Sequence, residues 1–384
     1  MLVYLLSFLV SLLLIGFTEK KHKTVFIIAS AVAVLIPCMV AALRADSVGT
    51  DIRVYVRPMF ENARNSLNFS QYWNSSWFHV WRYKYVYEHE FGFSALLYLV
   101  ARLTGSMGCV LFFIQAFTAT PIYIALSLDR KKAPVWPGML VYYLLYFNSS
   151  LNMMRQWMAM GILLLAYQVL LRKKYGGCLL LFCAAFLFHY SSLIFLPIVA
   201  VWWFLERFKK RTLVQGSIRI STKTLMVFLI FALGVLVLLN LKLILQLVVS
   251  LGLSRFTNYL KGGTLSLMLG QFLLRLPVIC VALLSWKQLR KATPQASFLL
   301  SMLLLDLLAA QIVSIAKYAL RISYFFASFT ILLLPYLFKY QRSRFEKTVV
   351  MLGLSGFYLF YWFYFYIYTG AHETYPYHFA FMRY

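Results

Sequence analysis

Arg155 is the only formal charge in an apolar stretch that runs from Pro134 to Leu171, and Asn152 and Gln156 stand beside it. A guanidinium presents five N–H donors in a planar fork that matches phosphate and carboxylate oxygens two at a time. In an apolar setting such a group is kept where an anionic partner uses it. At roughly 20 residues per crossing the stretch holds two membrane spans, which puts Arg155 at the turn between them. One cation flanked by two amides at that turn fits an anionic ligand.

A second collection of reactive side chains lies between Arg44 and Glu90. Arg44, Asp46, Asp51, Arg53, Arg57, Glu61 and Arg64 mix both charge signs; Tyr55, Tyr72, Trp73, Trp77, Trp81 and Tyr83 supply rings, and Glu88, His89 and Glu90 close the segment. Carboxylates and guanidinium groups hydrogen-bond hydroxyls, while flat rings pack on the C–H faces of a pyranose, so the mixture suits a sugar. The plainer reading of each tryptophan is an interfacial aromatic belt. His189 ends the apolar run Leu179 to Phe188, and Arg255, Lys317, Arg321 and Tyr324 fall between later spans, as do Tyr259 and Lys261. A lone arginine at an interface commonly snorkels to headgroups. Several on the face that basic loops avoid are better explained by a shared anionic ligand.

The chain has no DxD pair, no Walker-type glycine loop, no GxSxG elbow and no HExxH helix. Nucleotide-driven chemistry is therefore not expected, and the motifs predict no metal and no cofactor. Adjacent residues such as Glu88, His89 and Glu90 rarely converge on one ion. Asp306, the one acid expected near the bilayer interior, reads as a helix-packing residue or as a site for a coupled proton.

The elements that must position these groups follow from composition. Of 384 residues, 62% are hydrophobic and 12% charged, and the apolar runs lack the alternation of a barrel strand. The fold class is all-α, a polytopic membrane bundle. Expected spans fall at about 2–17, 24–43, 106–128, 134–151, 155–171, 176–189, 191–205, 224–250, 264–286, 296–316, 322–338 and 348–369. The count is about twelve, with eleven or thirteen as alternatives, because Phe91 to Thr104 reads as a re-entrant or interfacial helix or as the outer half of one broken span. One membrane domain covers 1–384, with residues 44–90 as its main outer loop.

The net charge of +26 is concentrated in short connections between spans, where six clusters hold 22 of the 37 basic residues. That is the positive-inside pattern, and it excludes a nucleic-acid surface as the reason for the charge. With those loops in the cytoplasm, both termini lie outside, and Leu2 to Phe17 reads as an anchor rather than a cleaved signal. The five cysteines fall in or beside apolar runs without a CxxC pair, so neither zinc nor a disulfide framework is indicated.

Five blocks give the chain a resemblance. They are Arg44 with Gly49-Thr50-Asp51 and Tyr55; Glu90-Phe91-Gly92-Phe93; Asn152-Met153-Met154-Arg155-Gln156 with Ala159; Phe188-His189-Tyr190-Ser191-Ser192; and Arg321 with Tyr324-Phe325. In this order and spacing the chain resembles the EpsG family of bacterial exopolysaccharide proteins, which belongs with the Wzy-type polysaccharide polymerases. The resemblance implies a glycosyltransferase of the bacterial inner membrane. It would join polyprenyl-diphosphate-linked oligosaccharides at the outer face, for exopolysaccharide, capsule or O-antigen. Membrane lipids, a flippase and a chain-length regulator are the implied partners, with no nucleic acid.

On that reading Arg155 and Arg321 clamp the diphosphate, with Gln156, Arg255 and Lys317 assisting. Asp51 or Glu90 takes the acceptor's proton, with His189 as the alternative base or as a hydrogen-bond donor to the diphosphate. Arg44, Tyr55, Asn152 and Tyr324 are the expected glycan contacts. Two other classes fit many helices with cations: a lipid-linked oligosaccharide flippase, and a non-catalytic subunit of an export complex. A flippase should carry its charges along a cavity that reaches both sides.

Overall fold

The structure is a computed structural model that describes residues 1–19, 23–207, 212–215, 218–250, 265–315 and 320–381. Backbone amides in a bilayer find no water, so a chain this apolar satisfies them inside helices. Among the described residues, eight helices are long and apolar enough to cross a membrane. A ninth results if Leu269–Leu284 and Trp286–Ala292, bent by 75° at their junction, form one span. Leu2–Thr18, Phe91–Thr104 and Tyr175–Phe188 are shorter apolar helices. The chain is an all-α polytopic membrane protein. It divides into two compact units, Met1–Leu193 with Ser355–Tyr384, and Ile194–Leu354.

The first unit begins with α1 (Leu2–Thr18) and α2 (Lys23–Ala42). The segment expected as an outer loop then proves to be a folded cap. A π-helical turn at Ile52–Val56 leads into α3 (Arg57–Asn65), which precedes α4 (Phe69–Trp73) and a hairpin of β1 (Ser76–His79) and β2 (Arg82–Tyr85). Asn68 caps α4 by accepting from Gln71 N at 2.9 Å. Arg57 grips both oxygens of Asp46 at 2.6 and 2.7 Å. The cap has its own buried contacts, which a sequence without a long apolar run does not advertise: Met59, Phe60, Tyr72 and Val86 pack with Phe93, Leu97 and Met158.

Three further pieces complete this unit's frame. α5 (Phe91–Thr104) starts at Glu90 and ends at Gly105, whose φ of +63° allows the left-handed stop. α6 (Met107–Ser127) returns, and α7 (Trp136–Val141) continues through a π-helical stretch at Tyr142–Phe147 to Ser150. After a turn come α8 (Met154–Leu171) and α9 (Tyr175–Phe188). α8 and α6 pack backbone to backbone: a Cβ on Gly161 would sit 2.6 Å from Thr118 O, so only glycine permits the approach.

The second unit holds α10 (Phe195–Arg207), a hairpin of β3 (Thr212–Gln215) and β4 (Ile218–Ser221), then α11 (Thr222–Leu239) and α12 (Leu241–Ser250). The expected continuous span 224–250 is thus interrupted at Asn240, whose Nδ2 donates to Leu236 O at 2.8 Å. Next come α13 (Leu269–Leu284), α14 (Trp286–Ala292), α15 (Ala296–Gln311), α16 (Leu320–Ala327) and α17 (Thr330–Lys339). α18 (Arg344–Trp362) leads back into the first unit. Asp306 on α15 pairs with Arg275 Nε on α13 at 2.8 Å, and Arg275 Nη2 reaches Ser323 Oγ at 3.3 Å. A buried acid opposite a buried guanidinium ties three helices together at far lower cost than either charge alone.

Candidate functional site

Five of the expected residues meet in the first unit. Glu90 is 3% exposed and sits at the N-cap of α5, with extended backbone that turns its side chain toward α8 and α9. One of its oxygens accepts from Arg155 Nη1, on the first turn of α8. The other lies 2.7 Å from His189 Nδ1, at the C-cap of α9. The Arg155 guanidinium also lies over the Tyr55 ring, 4.9 Å from its centroid. Tyr55 Oη in turn donates to Asp51 Oδ2 at 2.5 Å.

Local sequence explains each placement. A Cβ on Gly92 would come within 2.8 Å of Leu187 O, so the Glu90-Phe91-Gly92-Phe93 block lets α5 start directly against the end of α9. That contact sets Glu90 beside His189. Gly49 has a φ of +89°, and a Cβ there would meet Leu151 O at 3.1 Å, so the Gly49-Thr50-Asp51 block crosses the turn before α8. Asn152 Oδ1 holds that block by accepting from Thr50 Oγ1 at 2.5 Å and Asp51 N at 3.1 Å.

The electrostatics follow from burial and pairing. Burial alone would raise the Glu90 carboxyl, but the His189 hydrogen bond and the Arg155 charge outweigh it and hold it down to about 2. Glu90 is therefore an anion and a weak base at neutral pH. His89 is stacked between Tyr55 (5.1 Å, 29°) and Trp77 (5.7 Å, 14°). Its burial, then the Arg155 charge, pushes the imidazole down to about 3, so it is neutral.

The other expected residues take varied positions. Arg44 is 2% exposed, and its Nη1 donates to Leu151 O at 3.0 Å, bracing the turn; burial pushes its guanidinium down to about 10. Asn152 Nδ2 lies 3.3 Å from His372 Nδ1, so both ends of its amide engage protein groups. Gln156 is buried, with Nε2 4.0 Å from Met160 Sδ in its own helix. Arg321 and Tyr324 are on α16 of the second unit, the first exposed and the second half-buried. Arg255 and Lys317, with Tyr259 and Lys261, lie outside the described residues. No group of three or more His, Cys, Asp or Glu side chains suited to a metal occurs among the described residues.

Sequence reasoning missed Arg275, the stacking of His89, and His372 as a partner of Asn152. Arg275 had a signal of the same kind as Arg155, since it is the only formal charge in Leu269–Leu284. His372 had none.

Fold and site together define a polytopic membrane protein with a half-buried arginine beside a carboxylate–imidazole pair. A family model described as the EpsG family matches residues 27–379, nearly the whole chain, and the chain belongs to that family. EpsG members are Wzy-type polymerases, which makes this a polysaccharide-polymerase type of enzyme in the general sense. No curated protein and no solved structure matches it.

Proposed function

We propose that the protein transfers a glycan from a polyprenyl-diphosphate carrier to the end of a second lipid-linked glycan, at the outer face of a bacterial cytoplasmic membrane. The observation that carries this is the convergence of Arg155, Glu90 and His189 in a chain of this family. A glycosyl diphosphate already bears a good leaving group, so the step needs positive charge where the anomeric bond breaks. Arg155 supplies it. A quarter of its side chain is exposed, at 24%, which leaves an incoming phosphate access to the fork.

Of the three candidate bases, His189 is favoured by the geometry. Glu90 is strongly acidic in this setting, and an anionic carboxylate on Nδ1 keeps a proton there and leaves Nε2 as the basic nitrogen. His189 Nε2 then takes the proton of the acceptor hydroxyl while the glycan leaves the diphosphate. Arg44 and Asn152 brace the turn that presents Arg155, and Asp51 fixes Tyr55 beneath the guanidinium.

The test is incubation of the purified protein with a defined lipid-linked repeat unit, scoring release of polyprenyl diphosphate together with glycan lengthening. Wild type should do both, and His189→Asn should lose about 10²-fold or more in rate with its fold intact. Lengthening by His189→Asn at the wild-type rate would exclude it as the base. Movement of intact donor across vesicles, without lengthening, would favour a flippase.

A further inference from the structure

The second unit contains a cavity that the polymerase reading does not use. It has a volume of about 310 Å³ and lies between the end of α13 and the start of α18. Val281, Leu284 and Val349 form apolar wall, and Ser285, Gln341 and Arg342 form its polar end. The 75° bend at Ser285 opens it, because α14 turns aside there instead of prolonging α13. Ser285 Oγ donates to Gln341 Oε1 at 2.8 Å and fixes the polar end.

Its surroundings are strongly one-signed. Lys287, Arg290 and Lys291 project from α14, Lys339 from the end of α17, and Arg344 and Lys347 from the first turn of α18, all exposed. The acid in the wall, Glu346, is committed to the backbone, with Oε2 accepting from Arg342 N at 3.0 Å. With the Gln288 amide turned so that its nitrogen faces Ser285 O, its oxygen accepts from Arg342 Nε at 2.7 Å. That bond holds the Arg342 fork at the cavity mouth, and its two terminal amino groups have no hydrogen-bond partner among the described residues.

The apolar rim needs a cover too. Leu284 and Phe345 are 75% and 77% exposed. A cavity of this size is in the range of a small ligand rather than a docked helix, and the cations select its charge. We propose that this is a binding site for an anionic glycerophospholipid, with the headgroup phosphate on Arg342 and an acyl chain along Leu284 and Val349.

The test uses the full-length protein in mild detergent, offered equal amounts of phosphatidylglycerol and phosphatidylcholine with matched acyl chains, and counts retained lipid by native mass spectrometry. Wild type should retain phosphatidylglycerol about fivefold or more over phosphatidylcholine, because both offer a phosphate to Arg342 but only the choline of the second is repelled by the surrounding cations, a difference of about 1 kcal/mol. Arg342→Gln, at an exposed position, should lower the amount of phosphatidylglycerol retained about fivefold. Leu284→Trp, which fills the cavity, should lower retention of both lipids. Equal retention by wild type, or undiminished retention of phosphatidylglycerol by Arg342→Gln, overturns the proposal. So does displacement of phosphatidylglycerol by an equal amount of polyprenyl phosphate, which would identify the carrier as the occupant.

Discussion

A buried carboxylate keeps its charge when a guanidinium and an imidazole N–H both reach it, as Arg155 and His189 reach Glu90. Glu90 pairs with Arg155 across 65 positions and with His189 across 99. Each was legible in the sequence as a polar residue at the end of an apolar run, but nothing in their spacing announced the pairing. The bidentate fork is specific to arginine, so Arg155→Lys should reduce release of polyprenyl diphosphate by about 10²-fold with normal membrane content. A wild-type rate in that variant would remove the clamp. The acid response also has a definite sign. Because the folded state depresses the Glu90 carboxyl from 4.5 to about 2, its stabilisation is complete above pH 4.5 and is lost as pH falls toward 2. Thermal melts of wild type should therefore weaken over that window. Glu90→Gln should lower stability at pH 7 by about 3 kcal/mol, since it strands the Arg155 charge, and should lack this component of the acid loss.

Helices carry these groups, and here the sequence was informative for the long apolar runs and silent about what lies between them. Residues 44–90 have no run long enough to signal burial, so a loop was the natural expectation. The structure instead makes a cap whose short helices and hairpin bury Met59, Tyr72 and Val86. Such burial comes from tertiary contacts with α5, which local periodicity does not encode. The interruption at Asn240 was hidden for the opposite reason, because apolar residues continue on both sides of it. Glycine positions are the most demanding part of this layer. Gly92→Ala adds a methyl 2.8 Å from Leu187 O, a backbone atom that cannot swing away, so α5 and α9 must separate. The expected cost is about 1–3 kcal/mol of stability. Glu90 and His189 should part with the helices, so activity should fall further than the folded fraction does. Melting curves paired with turnover per folded molecule separate the two effects, and an unchanged turnover would show that the close approach serves packing only.

At the scale of the whole chain, the C-terminal segment returns to the first unit and completes it. Thr374 is fully buried; its Oγ1 accepts from Asn148 Nδ2 at 2.9 Å and its carbonyl from Tyr4 Oη at 2.8 Å. Ala45 N donates to His378 O at 2.8 Å, Ala380 N donates to Leu43 O at 2.8 Å, and Gly49 N donates to Glu373 O at 2.7 Å. The strap therefore satisfies backbone groups on the very loop that carries Asp51, while His372 meets Asn152 on the other side of that loop. A substitution in the strap and its removal should differ in kind. Thr374→Val removes one buried acceptor and should lower stability by about 1–3 kcal/mol, with turnover per folded molecule unchanged. Ending the chain after Thr369 removes the strap's hold on the Gly49–Asp51 loop and leaves that loop to its Asn152 bonds, without touching Arg155, Glu90 or His189. Turnover should then fall along with the thermal midpoint, because Asp51 no longer fixes Tyr55 under the guanidinium. Thermal melts and initial rates of glycan lengthening, measured on both variants, test this. A truncated chain that lengthens glycan at the wild-type rate would show that the strap stabilises the first unit without positioning its site.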